Sequence, residues 1–236
     1  MIPMIPIYTL YIPKKKGAKR DFPITKVIHD YINVVNLNCI FLMAPGYLSK
    51  TKNTIKCFVD ELNKSTDSTK HKHSVAVFNG MNGTISLVTP KSTTTVRDYH
   101  EATFAKSNIS CIPVSCKTDI DHRKMLFIMK LKDGKKMVKV LNKNSQQSFL
   151  DSVQVIGVFI GSSNQSYQSY YGGSSQTADK GEADIFMFID ERYASKINDV
   201  SLQDDLVLSK SLRVPYGDGE KYLNSLLKEY VDYYLN

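Results

Sequence analysis

A histidine and a lysine separated by one residue stand immediately before an apolar run. They are His122 and Lys124, and the run extends from Met125 to Met129. An imidazole can act as a nucleophile or a general acid, and an ammonium can neutralise an anionic oxygen. Because the run has the length and composition of a buried strand, we expect both side chains at the edge of a sheet. The pair therefore indicates phosphate chemistry.

A second polar group closes another apolar run. Gly161-Ser162-Ser163-Asn164 follows the residues from Val153 to Ile160, which predict a second buried strand. The side chains of Ser162 and Asn164 can donate hydrogen bonds to a phosphate oxygen. Either motif alone is also typical of an ordinary strand end, since Gly, Ser and Asn favour turns. Their order, each on a strong apolar run, favours a shared site.

The order H-x-K, spacer, G-S-x-N resembles the phospholipase D-like phosphodiesterases, in particular their restriction endonuclease branch. The resemblance covers Cys111 to Glu191, and the turn Gly46-Tyr47-Leu48-Ser49 is also similar to theirs. It implies an α/β fold in which helices flank a mixed β-sheet, with one motif copy per chain. It also implies cleavage of a phosphodiester without a metal or other cofactor.

The resemblance assigns a role to each residue. His122 would attack phosphorus to form a phosphohistidine, which divides one difficult displacement into two easier steps. Lys124 and Asn164 would hold the phosphate oxygens, and Ser162 would assist through its hydroxyl or its backbone N–H. The family often carries an acidic residue at the start of the next strand, where this chain has Glu182. Glu182 is therefore predicted to orient the imidazole.

Asp184 competes with Glu182 for this role. Side chains two residues apart lie on the same face of a strand, so both carboxylates could reach the imidazole. A third interpretation places both carboxylates at a solvated strand entrance.

The single H-x-K unit has a consequence for assembly. The family's site uses two such units, one histidine acting as nucleophile and the other as general acid. This chain has one unit. We therefore predict a homodimer in which His122 of each subunit faces the other across a two-fold axis.

Two features depart from the family pattern. Met129 stands where the family has an aspartate, five residues after the lysine. Asp133 comes later, in an Asp133-Gly134 pair that predicts a turn. The spacer before Gly161 is long, and residues 137–141 within it predict an extra hairpin strand.

The segment 165–181 is rich in Ser, Tyr, Gly and Gln and predicts a loop over the proposed site. Its residues Tyr167, Tyr170 and Tyr171 could stack on bases or hydrogen-bond phosphate. The alternative is a loop with no role in binding.

The charge of the chain is consistent with an anionic substrate. The formal net charge is +8, and basic residues cluster at 14–16, 19–20, 70–73 and 135–136. Basic surfaces attract DNA through counterion release, although they also attract anionic membranes. Each cluster alone is also typical of a solvated loop.

The 236 residues predict one domain, with a core over 35–191 and flanking segments 1–34 and 192–236. Apolar periodicity predicts further strands over 34–43, 74–79 and 109–114, and helices over 54–62, 96–104 and 219–235.

Four cysteines without C-x-x-C spacing give no support for a zinc site. The proline-broken N-terminal residues 1–6 resemble neither a signal peptide nor a membrane span. These observations predict a cytoplasmic protein with reduced thiols and no membrane partner.

Three functions remain open at this stage. The first is a metal-independent DNA endonuclease, the second a phospholipid phosphodiesterase, and the third a catalytically silent nucleic-acid-binding module. The segments outside the core are short for a separate recognition domain. Cleavage is therefore either nonspecific or directed by a separate recognition subunit.

Overall fold

A computed structural model describes residues 4–13, 24–44, 62, 71–77, 109–112, 114, 124–161, 183–199 and 207–235. Its strands are β1 (Ile7–Pro13), β2 (Ile40–Ala44), β3 (Ser74–Val77), β4 (Ser110–Ile112), β5 (Lys124–Leu131), β6 (Val153–Gly161), β7 (Ala183–Phe188) and β8 (Val207–Ser211). They form one sheet of eight strands in the order β4-β3-β2-β5-β6-β7-β1-β8. β2, β3 and β4 pair in parallel and the other neighbours are antiparallel, so the sheet is mixed.

Helices cover both faces of this sheet. They are α1 (Ile24–Val35), α2 (Gln146–Ser152), α3 (Glu191–Asp199) and α4 (Gly219–Leu235), with a 3₁₀ turn at Pro215–Gly217. The apolar faces of α1 and α3 share one core cluster with the sheet, and those of α2 and α4 share the other. Burial on both faces explains why β5 and β6 are continuous apolar runs. An α/β fold with helices flanking a mixed sheet is thus confirmed.

A bulge interrupts the pairing of β5 with β6. Ile128 pairs with Gly157 and Met129 with Val155, which leaves Ile156 as an extra residue. The hydroxyl of Tyr31 on α1 donates a hydrogen bond of 2.6 Å to the Ile156 carbonyl. Burial raises the pKa of Tyr31 well above its usual value, so this hydroxyl stays protonated as a donor. The bulge therefore anchors α1 to the sheet.

Gly157 allows aromatic rings to approach the backbone beside the bulge. A Cβ atom at this position would lie 2.8 Å from Cε2 of Phe186 and 3.4 Å from Cε1 of Tyr31. Phe186 stacks on Phe159 with ring centroids 4.1 Å apart and meets Tyr31 edge-on at 5.0 Å. The ring of Phe186 is therefore confined on several sides.

One predicted strand begins later than expected, and another is not formed. The strand predicted over 34–43 begins only at Ile40, because α1 continues to Val35 and ends at Asn36. Asn36 adopts φ +53° and its N–H donates to the Ile32 carbonyl, as in a left-handed helix cap. The hairpin strand predicted over 137–141 is also not formed, since β6 already pairs with that edge of β5. The predicted turn at Asp133-Gly134 is confirmed, with φ +72° at Gly134.

Other predicted elements agree with the structure where it describes them. The predicted strands over 74–79 and 109–114 contain β3 and β4, and the helix predicted over 219–235 is α4. The helices predicted over 54–62 and 96–104 lie outside the described residues, apart from the helical Leu62.

The segments that flank the predicted core also contribute to the fold. β1 and β8 lie side by side in the sheet, and α1 and α4 supply much of the two core clusters. Among the described residues, no helix has the length and apolar character needed to cross a membrane.

We expect Gly157→Ala to lower the free energy of unfolding by about 1–3 kcal/mol, because the added methyl overlaps the confined Phe186 ring. Urea unfolding followed by circular dichroism measures this change. Phe186→Leu should relieve part of the overlap, so the double variant should lose less than the sum of the two single losses. Strictly additive losses would contradict this contact.

A buried histidine lies at the start of β3. His73 is 1% exposed, and its Nδ1 accepts a hydrogen bond of 3.0 Å from the backbone N–H of Cys39. This acceptor role places the proton on Nε2, which has no hydrogen-bond partner in the described part of the chain. Burial, reinforced by the neighbouring His71, lowers the pKa of His73 to about 4. The imidazole ring of His73 is therefore neutral in the folded chain at neutral pH.

Stability should consequently fall in mild acid. Because the folded pKa of His73 lies below the ordinary value of 6.5, its contribution is complete above pH 6.5 and is lost as the pH falls towards 4. The free energy of unfolding should fall by about 3 kcal/mol between these pH values. Urea unfolding at each pH measures it from the midpoint and the slope. His73→Gln should flatten this dependence, whereas the control His29→Gln, at a half-buried position, should retain the acid decline. A steep acid decline that persists in His73→Gln would contradict the assignment.

Candidate functional site

Three neighbouring strands begin or end at the same side of the sheet, and the sequence motifs occur at these strand ends. We call this line of strand ends the edge. β5 begins at Lys124, β6 ends at Gly161 and β7 begins at Ala183. Because β6 is antiparallel to both neighbours, these three strand ends lie at the same edge. The described strand ends that precede or follow these motifs in the sequence, at Lys124, Gly161 and Ala183, therefore lie side by side.

The strand register aligns one residue from each strand. Lys124 pairs with Gly161, and Gly161 pairs with Asp184. Residues directly opposite each other in antiparallel strands share a face of the sheet. Asp184 also pairs with Ile12 of β1, which is buried in the core cluster of α1. We call Lys124, Gly161 and Asp184 the edge row, and it belongs to the face covered by α1.

The edge row combines a cation, a glycine and a buried carboxylate. Lys124 is half-buried, so its ammonium retains access to the edge. Asp184 is 4% exposed. Gly161 lies between them and carries no side chain that would separate them. A row of this composition can supply positive charge to an anionic oxygen and a carboxylate to orient a neighbouring donor.

Most of the predicted site residues lie outside the described residues. They are His122, Ser162, Asn164, Glu182 and the loop tyrosines Tyr167, Tyr170 and Tyr171. In the sequence, Ser162 directly follows the last residue of β6 and Glu182 directly precedes the first residue of β7. Of the predicted catalytic residues, Lys124 is described, and it lies at the edge where the sequence places it.

The structure adds a strand to this edge that the sequence analysis missed. β1 ends at Pro13, which pairs with Ala183 at the start of β7. The basic run from Lys14 to Lys16 follows next in the sequence. The alternation of Ile7, Thr9 and Tyr11 with Tyr8, Leu10 and Ile12 was a usable strand signal. In the sequence, three lysines thus follow directly after the last residue of β1.

Thiol and metal chemistry find no site in the described part of the chain. Burial raises the pKa of the Cys39 thiol to about 12, which leaves it protonated and unreactive at neutral pH. Cys39 is the free cysteine whose side chain is described. Among the described residues, no group of three or more His, Cys, Asp or Glu side chains could hold a metal ion.

Comparison with protein-family models and with curated proteins finds no match to this chain.

Proposed function

We propose that the chain is a phosphodiesterase that cleaves DNA without a metal ion, through a phosphohistidine at the edge row. The observation that carries this proposal is the register that aligns Lys124, Gly161 and Asp184. This register brings together the strand ends next to His122, Asn164 and Glu182. A phospholipase D-like site requires these segments to adjoin.

The proposed reaction has two displacements. An imidazole nitrogen of His122 attacks phosphorus, and the departing DNA oxygen takes a proton from His122 of the partner subunit. Water then attacks the phosphohistidine, gives a proton back to the partner subunit's His122 and releases the 5′ or 3′ phosphate. Lys124 and Asn164 would stabilise the charge that develops on the non-bridging oxygens. Glu182 or Asp184 would orient the imidazole.

An exposed apolar row supports the dimer. Ile185, Tyr11 and Val207 are register neighbours on β7, β1 and β8, and they are 38%, 40% and 59% exposed. Ile185 directly follows Asp184, so this row lies on the face of the sheet opposite to the edge row. A contiguous apolar surface of this kind suits contact with a second copy of the chain. The same surface would also suit a lipid, which keeps the phospholipid phosphodiesterase as the second candidate.

Purified protein should nick plasmid DNA in the presence of excess EDTA, and His122→Ala should abolish this cleavage because it removes the nucleophile. Lys124→Ala should lower the rate by about 10²–10³-fold, the scale for losing one transition-state donor. His29→Ala is the matched control and should cleave normally. Turnover of phosphatidylcholine vesicles without DNA cleavage would favour the lipid enzyme. A tenth or more of normal activity in His122→Ala would rule out its role as nucleophile.

Mixing His122→Ala subunits with normal subunits tests the shared site. With equal amounts and random exchange, about a quarter of the dimers keep both histidines, so activity should fall towards that fraction. Native mass spectrometry verifies the exchange. Activity near half after complete exchange would show that each subunit works alone.

A further inference from the structure

Lysines concentrate in the segment that follows β5. Residues 130–143 contain Lys130, Lys132, Lys135, Lys136, Lys139 and Lys143, and a single acidic residue, Asp133. The last four of these lysines are exposed and the first two are half-buried. We call this segment the lysine turn.

The lysines of the lysine turn do not stabilise the described part of the fold through ion pairs. In the described part of the chain, none of its lysines forms an ion pair, whereas Lys228 pairs with Asp232 at 2.9 Å and Arg192 with Asp190 at 2.6 Å. Like charges in one segment repel each other and oppose compaction. Their concentration therefore points to a partner that supplies negative charge.

The backbone beneath these lysines is held in place. Leu141 is fully buried, and Gly134 closes a turn in which the Lys135 N–H donates to the Lys132 carbonyl at 3.1 Å. The Ser145 hydroxyl donates to the Val140 carbonyl at 2.6 Å. Asn142 accepts from the backbone N–H of Asn144 and of Ser145. A charged surface on such a scaffold loses little backbone freedom when it binds.

The lysine turn begins at the end of β5 opposite to Lys124, where the Lys135 N–H closes on Lys132. It then runs back to Leu141, which forms a parallel bridge with Val114 beyond the end of β4. β5 spans Lys124–Leu131, which at the usual strand rise separates the two ends by roughly 23 Å. This separation corresponds to about seven base pairs of duplex DNA, at 3.4 Å per step. A single phosphodiester cannot reach both places, but a duplex can.

We propose that the start of the lysine turn, from Lys130 to Lys136, binds the phosphate backbone of duplex DNA at a distance of about seven base pairs from the bond that is cleaved. The proposal rests on the proposed function for the position of that bond. The contact is electrostatic and independent of sequence, because ammonium groups of lysine on phosphates do not distinguish bases. It deepens the proposed function by making the substrate a long duplex in preference to a small phosphodiester.

The test compares two pairs of substitutions by fluorescence anisotropy with a labelled duplex of about 30 base pairs, in EDTA and across a salt series. One pair is Lys135→Gln with Lys136→Gln, two exposed residues at the start of the lysine turn. The matched control is Lys196→Gln with Lys221→Gln, two exposed lysines on α3 and α4. Both pairs change the net charge equally. Thermal melting by circular dichroism checks that each variant folds.

We expect the lysine-turn pair to weaken binding about tenfold at 150 mM salt and to reduce the slope of log K against log salt by about 1–2. The control pair should stay within about twofold of the unsubstituted chain, since it lies outside the proposed contact. Hydrolysis of bis(4-nitrophenyl) phosphate should be the same in both pairs. Equal losses in the two pairs would show a net-charge effect and overturn the proposal, as would no loss in either.

Two further outcomes separate the proposals. If the lysine-turn pair loses binding to phosphatidylserine vesicles and keeps its affinity for DNA, the surface binds membranes and the proposal is overturned. If the unsubstituted chain hydrolyses no phosphodiester at all, the proposed function fails. The anisotropy comparison still decides whether the lysine turn binds DNA.

Discussion

The extra residue at Ile156 determines how the sheet presents its edge. Ile156 and Gly157 both belong to the face covered by α1, because the bulge interrupts the regular alternation of β6. The alternation then resumes and places Phe159 and Gly161 on that same face. Lys124 and Asp184 join Gly161 there through the register. The Tyr31 hydroxyl stabilises the bulge by donating a hydrogen bond to the Ile156 carbonyl.

The length of β5 separates two groups of charged residues. The edge row combines a cation with a buried carboxylate, whereas the start of the lysine turn, at the other end of β5, carries almost only positive charge. Between them lie the residues 125–129 of β5, all buried. A close-packed strand of this kind keeps the two ends at a constant separation. Only a substrate at least as long as β5 could contact both ends at once.

Sequence patterns predicted the elements with the strongest hydrophobic signal. β5, β6 and β7 are long apolar runs bounded by turn residues, and α4 keeps helical spacing over its whole length. The interpretation failed for residues 34–39, because the β-branched Val34 and Val35 are typical of a strand but form the last turn of α1. It also failed for residues 137–141, whose apolar and β-branched composition is typical of a strand although no free edge of β5 was left to pair with.

For the candidate site, the sequence predicted the strand ends but not the bulge that aligns them. The motifs alone placed His122, Lys124, Asn164 and Glu182 on strand ends, and the structure confirms that the strands next to them are neighbours. The bulge could not be predicted, because it depends on a hydrogen bond between Tyr31 and Ile156, residues far apart in the chain. The roles of His122, Ser162, Asn164 and Glu182 stay predictions.

Beyond the bulge, the two-residue period of β6 makes the face of Gly161 depend on how many residues separate it from Gly157. Inserting or deleting one residue between Gly157 and Gly161 would exchange the two faces for every position that follows, so Gly161 would leave the face of Lys124. A change of two residues would restore the face and shift the strand end by about 7 Å along its axis. In this segment an even change preserves which side of the sheet the motif occupies, and an odd change does not.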